Sequence, residues 1–452
     1  MNNKNRTLKI LVVITALVLA VLIVFAIAIS LDRADPAANI SAPPTTTVQP
    51  TETTTVPTEP PVVKEATFTL SATGDILMHE PVFKSGKVSD GYNFDSIFTF
   101  FKDYVTAADF SVGNLETTLA GNNNGYKYKG YPRFNCPDEI VDGVINAGFD
   151  MLLTANNHAY DTSSTGLHRT VEVVREKGIM NLGTKATSDE ANYAIVEQNG
   201  IKLGLACYTY ETNQDADKKS PNGLPMKTAD IPLMNTFDYT NINLLYSELE
   251  ESIRQMKEQG VSAVILFIHW GTEYQTKQNT RQSEIAQALC DLGIDVIIGG
   301  HPHVVQPVDL LTSTKDENHK TVCLYSMGNA VSNQRRANVS MKTGHTEDGV
   351  LFSVTFARYT DGTVILESAK LLPTWVNLAK HPETGSKAYM ILPLDDQIED
   401  WQTAFQLSDS CLKNAKASYE RTIKIVGEGM TKVNDYLTQN QAATEIAIGV
   451  EK

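Results

Sequence analysis

Three stretches of this chain repeat one plan, and that repetition restricts the fold more than any other feature. Each has an amphipathic helical pattern, a glycine stop, a short apolar strand and then a polar cluster. The first runs from Pro137 to Ala147 and Gly148, then Met151 to Leu153, then Asn156, Asn157 and His158. In the second, Glu250 to Gln259 stops at Gly260, and Val264 to Ile268 leads into His269, Trp270 and Gly271. The third has Glu284 to Leu292, Gly293, Val296 to Ile298, two further glycines, then His301, Pro302 and His303. Glycine just past a helix end is a stop signal, because it adopts the left-handed backbone without a Cβ clash. Short Val/Ile/Leu runs bounded in this way read as buried strands. Helices alternating with such strands imply an α/β architecture. Ligands in such sheets gather beyond the carboxyl ends of the strands, which is where all three polar clusters fall.

Two earlier segments extend the pattern. Thr67 to Asp75 alternates like a strand and ends in Gly74 and Asp75, with His79 four residues on; Asp109 to Val112 is followed by Gly113, Asn114, Leu115 and Glu116. Five strand ends therefore carry Asp75, Glu116, Asn157 with His158, His269, and His301 with His303. Of nine histidines, five (His79, His158, His269, His301, His303) lie in or just after these loops, while His168, His319, His345 and His381 read as surface residues. A lone strand-end histidine is usually structural, but five together point to a metal site. Carboxylate, amide and imidazole donors without thiolate suit Mn, Fe or Zn, and there are enough of them for one or two ions. Paired metals bind a substrate oxygen and generate hydroxide near neutral pH, and a histidine outside the ligand set can protonate the leaving group.

The ends of the chain carry different information. Ile10 to Leu31 is an uninterrupted apolar run preceded by Lys4, Arg6 and Lys9. At about 1.5 Å per residue it spans roughly 33 Å, enough for a hydrocarbon core of about 30 Å. We expect residues 1–9 to be a cytoplasmic tail, 10–31 a single transmembrane anchor, 32–66 a Pro/Thr-rich linker, and the main domain to lie outside the cell. Residues 396–452 read as a helical extension, interrupted at Gly427 to Gly429. The net charge of −15 argues against a nucleic-acid partner, which needs a basic footprint. Five widely spaced cysteines form no disulfide framework, and Cys207, Cys290 and Cys323 read as core residues.

The ordered set Gly74–Asp75, Asn114–Leu115–Glu116, Ala155 to His158, His269–Trp270–Gly271 with Glu273–Tyr274, and Gly300 to His303 resembles the bacterial CapA family of capsule-synthesis proteins, associated with poly-γ-glutamate. Tyr92 to Asp95 and Tyr325 to Asn329 also look like motifs of that family. The likeness covers roughly residues 67–395. The family is similar to the calcineurin-like metallophosphatases, so the resemblance implies an α/β two-sheet sandwich flanked by helices. It also implies metal ligands at Asp75, Glu116, Asn157, His269, His301 and His303, with His158 as the catalytic acid. Two departures stand out: Asp75 is not followed by the usual Asp-x-His histidine, and Glu116 stands where those enzymes place a bridging aspartate.

Around this set, His79, Asn114, Arg133, Trp270 and Glu273 are expected to meet substrate, with Arg133 and Lys129 offering positive charge to an anionic group. Together with the expected anchor, the resemblance implies a membrane-anchored, extracellular, metal-dependent hydrolase-like protein in capsule or cell-surface polymer biogenesis. Its partners would be an anionic polymer or the machinery that makes and exports it. The alternatives are a non-catalytic polymer-binding or export factor, and a metal-dependent phosphoesterase.

Overall fold

The computed structural model describes residues 61–123, 125–212 and 219–448. The expected anchor over 10–31 and most of the expected linker lie outside the described residues. No described helix is long and apolar enough to cross a membrane.

Among the described residues, fifteen strands form two sheets. The first runs β15 (Lys387–Pro393), β14 (Val364–Lys380), β13 (Asp348–Tyr359), β1 (Lys64–Ile76), β2 (Phe110–Leu115), β3 (Met151–Leu153) and β4 (Met180–Leu182), with β12 (Asn329–Val331) also paired to β1. The second runs β10 (Val308–Thr312), β11 (Lys320–Leu324), β9 (Val296–Gly300), β8 (Ala263–His269), β6 (Ile201–Tyr210) and β5 (Tyr193–Gln198), with β7 (Thr236–Phe237) beside β6. Each sheet has a parallel half, β1 to β4 in one and β6, β8, β9 and β11 in the other. All these parallel strands finish in loops, and the polar clusters of the sequence sit on them.

Parallel strands covered on both faces need continuous apolar runs rather than alternation, which is why Ala263–Ile268 and Val296–Ile298 contain no polar residue. The inner faces meet in one core built from Phe68, Leu70 and Ala72 of β1, Leu203 and Leu205 of β6, Ile265 and Phe267 of β8, and Val350, Phe352 and Val354 of β13. Helices Asn243–Glu258 and Thr280–Asp291 cover the outer face of the second sheet through Leu249, Ile253, Ile285 and Leu289. Helix Glu139–Asn146 and its neighbours cover the first through Ile140, Val141 and Val144.

The C-terminal region departs from expectation. Instead of breaking at Gly427 to Gly429, it forms one helix, Asp409–Ile448, roughly 60 Å long at about 1.5 Å per residue. It lies against β14 and β10, one strand from each sheet, and sends Val426, Val433 and Leu437 into the central core. Gly429 marks a close approach: a Cβ there would stand 1.9 Å from the Val308 carbonyl oxygen. His381 also departs from expectation, being buried and bonded through Nε2 to Thr99 Oγ1 at 2.8 Å. All five cysteines are free, four of them buried.

Candidate metal centre

The strand ends bring the expected donors together, and glycines make room for them. A Cβ on Gly74 would stand 1.9 Å from the Gly328 carbonyl oxygen, and one on Gly299 would stand 2.0 Å from that of Tyr325. Gly300 lies between two donors: its Cβ would meet Asp75 Oδ1 at 3.3 Å and His269 Nδ1 at 3.4 Å. Beyond Gly300 the chain turns so tightly that His301 and His303 take positive φ, 94° and 56°, a conformation that costs a non-glycine residue energy and clusters at functional sites.

Asp75, Glu116 and His269 each place a ligand atom within 4.8 Å of the others, and all three are buried. Asp75 accepts from Asn114 Nδ2 at 2.7 Å and pairs with His303 Nδ1 at 3.0 Å. Burial pushes its carboxyl up, but the His303 bond and charge and the Asn114 bond outweigh this and hold it below the ordinary value. With the His303 Nδ1 proton given to Asp75, its Nε2 is free and lies 3.9 Å from Glu116 Oε1. His269 Nε2 is 2.8 Å from Asn157 Oδ1 and 3.6 Å from Glu116 Oε1. His301 stands beside them, its ring 5.0 Å from that of His269 and 5.9 Å from that of His303.

Glu116 distinguishes this cluster from an ordinary buried hydrogen-bond network. It is fully buried, and neither carboxylate oxygen has a hydrogen-bond partner; His301 Nδ1 has none either. Burial, with the negative charges of Asp75 and Glu273, pushes Glu116 well above its usual pKa. Burial pulls His269 down to about 3, and with neighbouring imidazoles holds His301 well below its ordinary value. Stripping a carboxylate of water costs roughly several kcal/mol unless a counter-charge answers it. The neutral imidazoles of His269 and His301, the Asn157 amide oxygen, the Asp75 carboxylate and the unsatisfied Glu116 carboxyl form a donor set suited to a divalent cation.

His158 has the surroundings of an acid–base residue. Its Nδ1 lies 2.7 Å from Asp161 Oδ2, and its Nε2 points inward, 4.0 Å from Glu116 Oε1. A carboxylate can only accept, so we assign the Nδ1 proton to the Asp161 bond. Asp161 is itself fixed by the Phe134 amide at 2.6 Å and by Asn222 Nδ2 at 3.2 Å, and the Phe134 ring meets that of His158 edge-on at 4.6 Å.

The five residues expected to meet substrate divide. His79 borders the site: it is half-buried, edge-on to Phe134 at 5.1 Å, and lowered to about 4 by burial. Glu273 is exposed, and its charge acts on Glu116 and Tyr274. Arg133 is exposed next to Phe134. Asn114 and Trp270 are buried, with their polar groups already bonded within the protein. Asn114 is buried and occupied, donating to Asp75 and accepting from Asn156 Nδ2 at 3.1 Å. The Trp270 indole is fully buried with the helices of the second sheet and donates to the Tyr325 carbonyl at 2.9 Å; successive residues of a strand alternate faces, so His269 and Trp270 had to point opposite ways. Sequence reasoning missed Asp161, Asn222, Tyr210 (4.7 Å from the His301 ring) and Asn329, whose Oδ1 lies 3.2 Å from His303 Nδ1. Only Asn329 carried a signal, as the last residue of the Tyr325 to Asn329 motif.

A two-sheet α/β sandwich with a buried carboxylate–imidazole cluster at its strand ends defines a class of protein suited to bind divalent metal. The particular family follows from sequence comparison. The profile of the family described as bacterial capsule synthesis protein PGA_cap matches residues 69–334, and the chain belongs to that family. It is 27% identical over 308 residues to the capsule biosynthesis protein CapA of Bacillus anthracis, covering 67% of each chain. It is 28% identical over 285 residues to the PGA biosynthesis protein CapA of Bacillus subtilis, covering 61% of this chain and 67% of that one. A solved structure from Staphylococcus aureus assigned to the 5′-nucleotidases is similar at a TM-score of 0.42 and 14% identity, covering 68% of this chain and 54% of that one.

Proposed function

We propose that this chain acts in the biogenesis of capsule or another cell-surface polymer as a metal-dependent, hydrolase-like protein. It is held to the membrane by its N-terminal apolar segment, with the strand-end site outside the cell. The observation that carries the reading is Glu116: a fully buried carboxylate with no hydrogen-bond partner, 3.6–4.0 Å from His269, His303 and His158. Asp75, Glu116, Asn157, His269, His301 and His303 would hold one or two ions of Mn, Fe or Zn. When bound, such an ion polarises a substrate oxygen and lowers the pKa of water.

The remaining chemistry belongs to the chain's own side chains. His158, with its Nδ1 proton held by Asp161, keeps Nε2 turned into the site, where it can give a proton to a leaving group or take one from water. Phe134 packs on the imidazole and limits its rotation. His79 and Glu273 border the site, and the exposed Arg133, next to Phe134, would offer charge to an acidic polymer.

The test is His158→Ala in the full chain. A catalytic role predicts that metal content stays at the wild-type level while turnover, on a panel of polymer amides and phosphate esters, falls by about 10²–10⁴-fold. Unchanged polymer output in cells carrying this variant would instead favour a holding or export role for the site.

A further inference from the structure

The metal-site reading gives the long C-terminal helix a task. Residues 396–448 lie beyond the segment that defines the family match, 69–334, and none of them reaches the donor cluster. Two routes of hydrogen bonds and close backbone contacts nevertheless connect helix Asp409–Ile448 to two ligands, and both pass through Asp348, the buried first residue of β13. On the helix, Ser418 Oγ donates to Asp348 Oδ1 at 2.6 Å, and Arg421 donates through Nη2 to Oδ1 at 2.6 Å and through Nε to Oδ2 at 2.8 Å. This is a two-pronged guanidinium grip on a carboxylate, a geometry that fixes orientation as well as charge.

From Asp348 the first route follows the backbone. A Cβ on Gly328 would stand 2.6 Å from the Asp348 carbonyl oxygen, and one on Gly349 would stand 2.2 Å from that of Asn329. The turn containing Gly328 and Asn329 is thus pressed between β13 and β1. The Gly328 carbonyl accepts the Asp75 amide at 3.1 Å, so the position of the turn sets that of Asp75. The second route runs through side chains. The Thr346 carbonyl, two residues before Asp348, accepts from Asn329 Nδ2 at 3.0 Å, and Asn329 Oδ1 faces His303 Nδ1 at 3.2 Å. Glu347, between them, is gripped by Arg336 at 2.9 Å and by the Trp375 indole at 3.3 Å. No residue from Gly344 to Asp348 touches the donor cluster, yet this segment supports Asp75 from one side and His303 from the other.

We propose that Arg421 and Ser418 are positioning residues for the metal centre: by clamping Asp348 they hold the Gly328–Asn329 turn, and through it Asp75 and His303, in ligating geometry. The C-terminal helix is then part of the metal site rather than an appendage. This rests on the reading of the cluster as a metal centre. Groups that orient ligands from outside the coordination shell typically govern affinity by about 10–100-fold.

The test measures the Mn and Zn dissociation constants of the full chain, wild type and Arg421→Gln, beside the melting temperature of each in excess chelator. The expected result is metal binding by wild type and about 10–100-fold weaker binding by Arg421→Gln, with partial recovery in Arg421→Lys. If Arg421→Gln does not fold, Ser418→Ala, which removes one of the three bonds to Asp348, should show a smaller loss in the same direction. A purely structural helix would lower the chelated melting temperature and leave the dissociation constant alone, which overturns the proposal. Wild type that binds no metal overturns the metal-centre reading as well, so the two failures are told apart by the wild-type arm.

Discussion

The two sheets contribute different chemistry to the same point. The first supplies the oxygens: Asp75 at the end of β1, Glu116 after β2 and Asn157 after β3. The second supplies the nitrogens: His269 at the end of β8, with His301 and His303 after β9. The oxygen side has no positive φ at its donors, and its strain lies in Glu116, a buried carboxyl with no hydrogen-bond partner, whose ionisation burial opposes. On the nitrogen side, burial keeps His269 and His301 neutral, and the strain lies in the backbone, at the positive φ of His301 and His303. A cation bound between them would answer the unpaired charge and join the two sheets at one end of the sandwich. The two halves should therefore fail in different ways.

The largest expected effect is on the oxygen side. Glu116→Gln should weaken metal binding by at least about a hundredfold, while the chelated protein becomes more stable by roughly 1 kcal/mol or more, because an uncompensated buried charge is gone. Loss of stability in chelator would break the claim that Glu116 is strained without metal. Next comes the floor of the site. Gly74→Ala forces a Cβ to 1.9 Å from the Gly328 carbonyl and should cost about 1–3 kcal/mol in denaturant unfolding.

The nitrogen side should show itself through pH. His269 falls from 6.5 to about 3 and His79 to about 4 on folding. A depressed folded pKa means the unfolded chain binds the extra protons, so the stability is complete above pH 6.5 and is lost as pH falls toward 4 and then 3. In chelator, Glu116 opposes this: its raised pKa makes the native state the better proton binder above 4.5, so its contribution falls as pH rises. Comparing the melting profile of Glu116→Gln with wild type from pH 4 to 7 separates the two, and the variant should show the steeper loss toward acid. The smallest effect belongs to Trp270→Phe, which removes one buried hydrogen bond. It should cost about 1 kcal/mol of stability and leave metal affinity unchanged, whereas a change in substrate preference would restore Trp270 to the cleft.

What the sequence made legible follows the same division. Glycine stops and apolar runs announced the parallel strands, because buried strands flanked by helices leave a composition that survives without any contact information. The observed strands Met151–Leu153, Ala263–His269 and Val296–Gly300 match those runs to within a residue or two. The meander β13 to β15 left no such trace, since its pairing with β1 joins residues nearly 300 positions apart. The donors were legible because each lies at the end of its strand or within four residues of it. Asp161 was not, because it reaches His158 from one turn further on. Trp270 was misread because adjacency in sequence is not adjacency in space when a strand alternates its faces. At Gly427 to Gly429 the glycines looked like a break, and only the backbone of Val308 shows that close packing requires Gly429.

The most direct test of the central claim is the metal content of the full-length protein, purified without added chelator and measured by elemental analysis beside Glu116→Gln. One to two equivalents of Mn, Fe or Zn are expected in the wild type, with a clear loss in the variant. A wild type that takes up no metal even after refolding with it, or a variant that holds as much as the wild type, would contradict that claim.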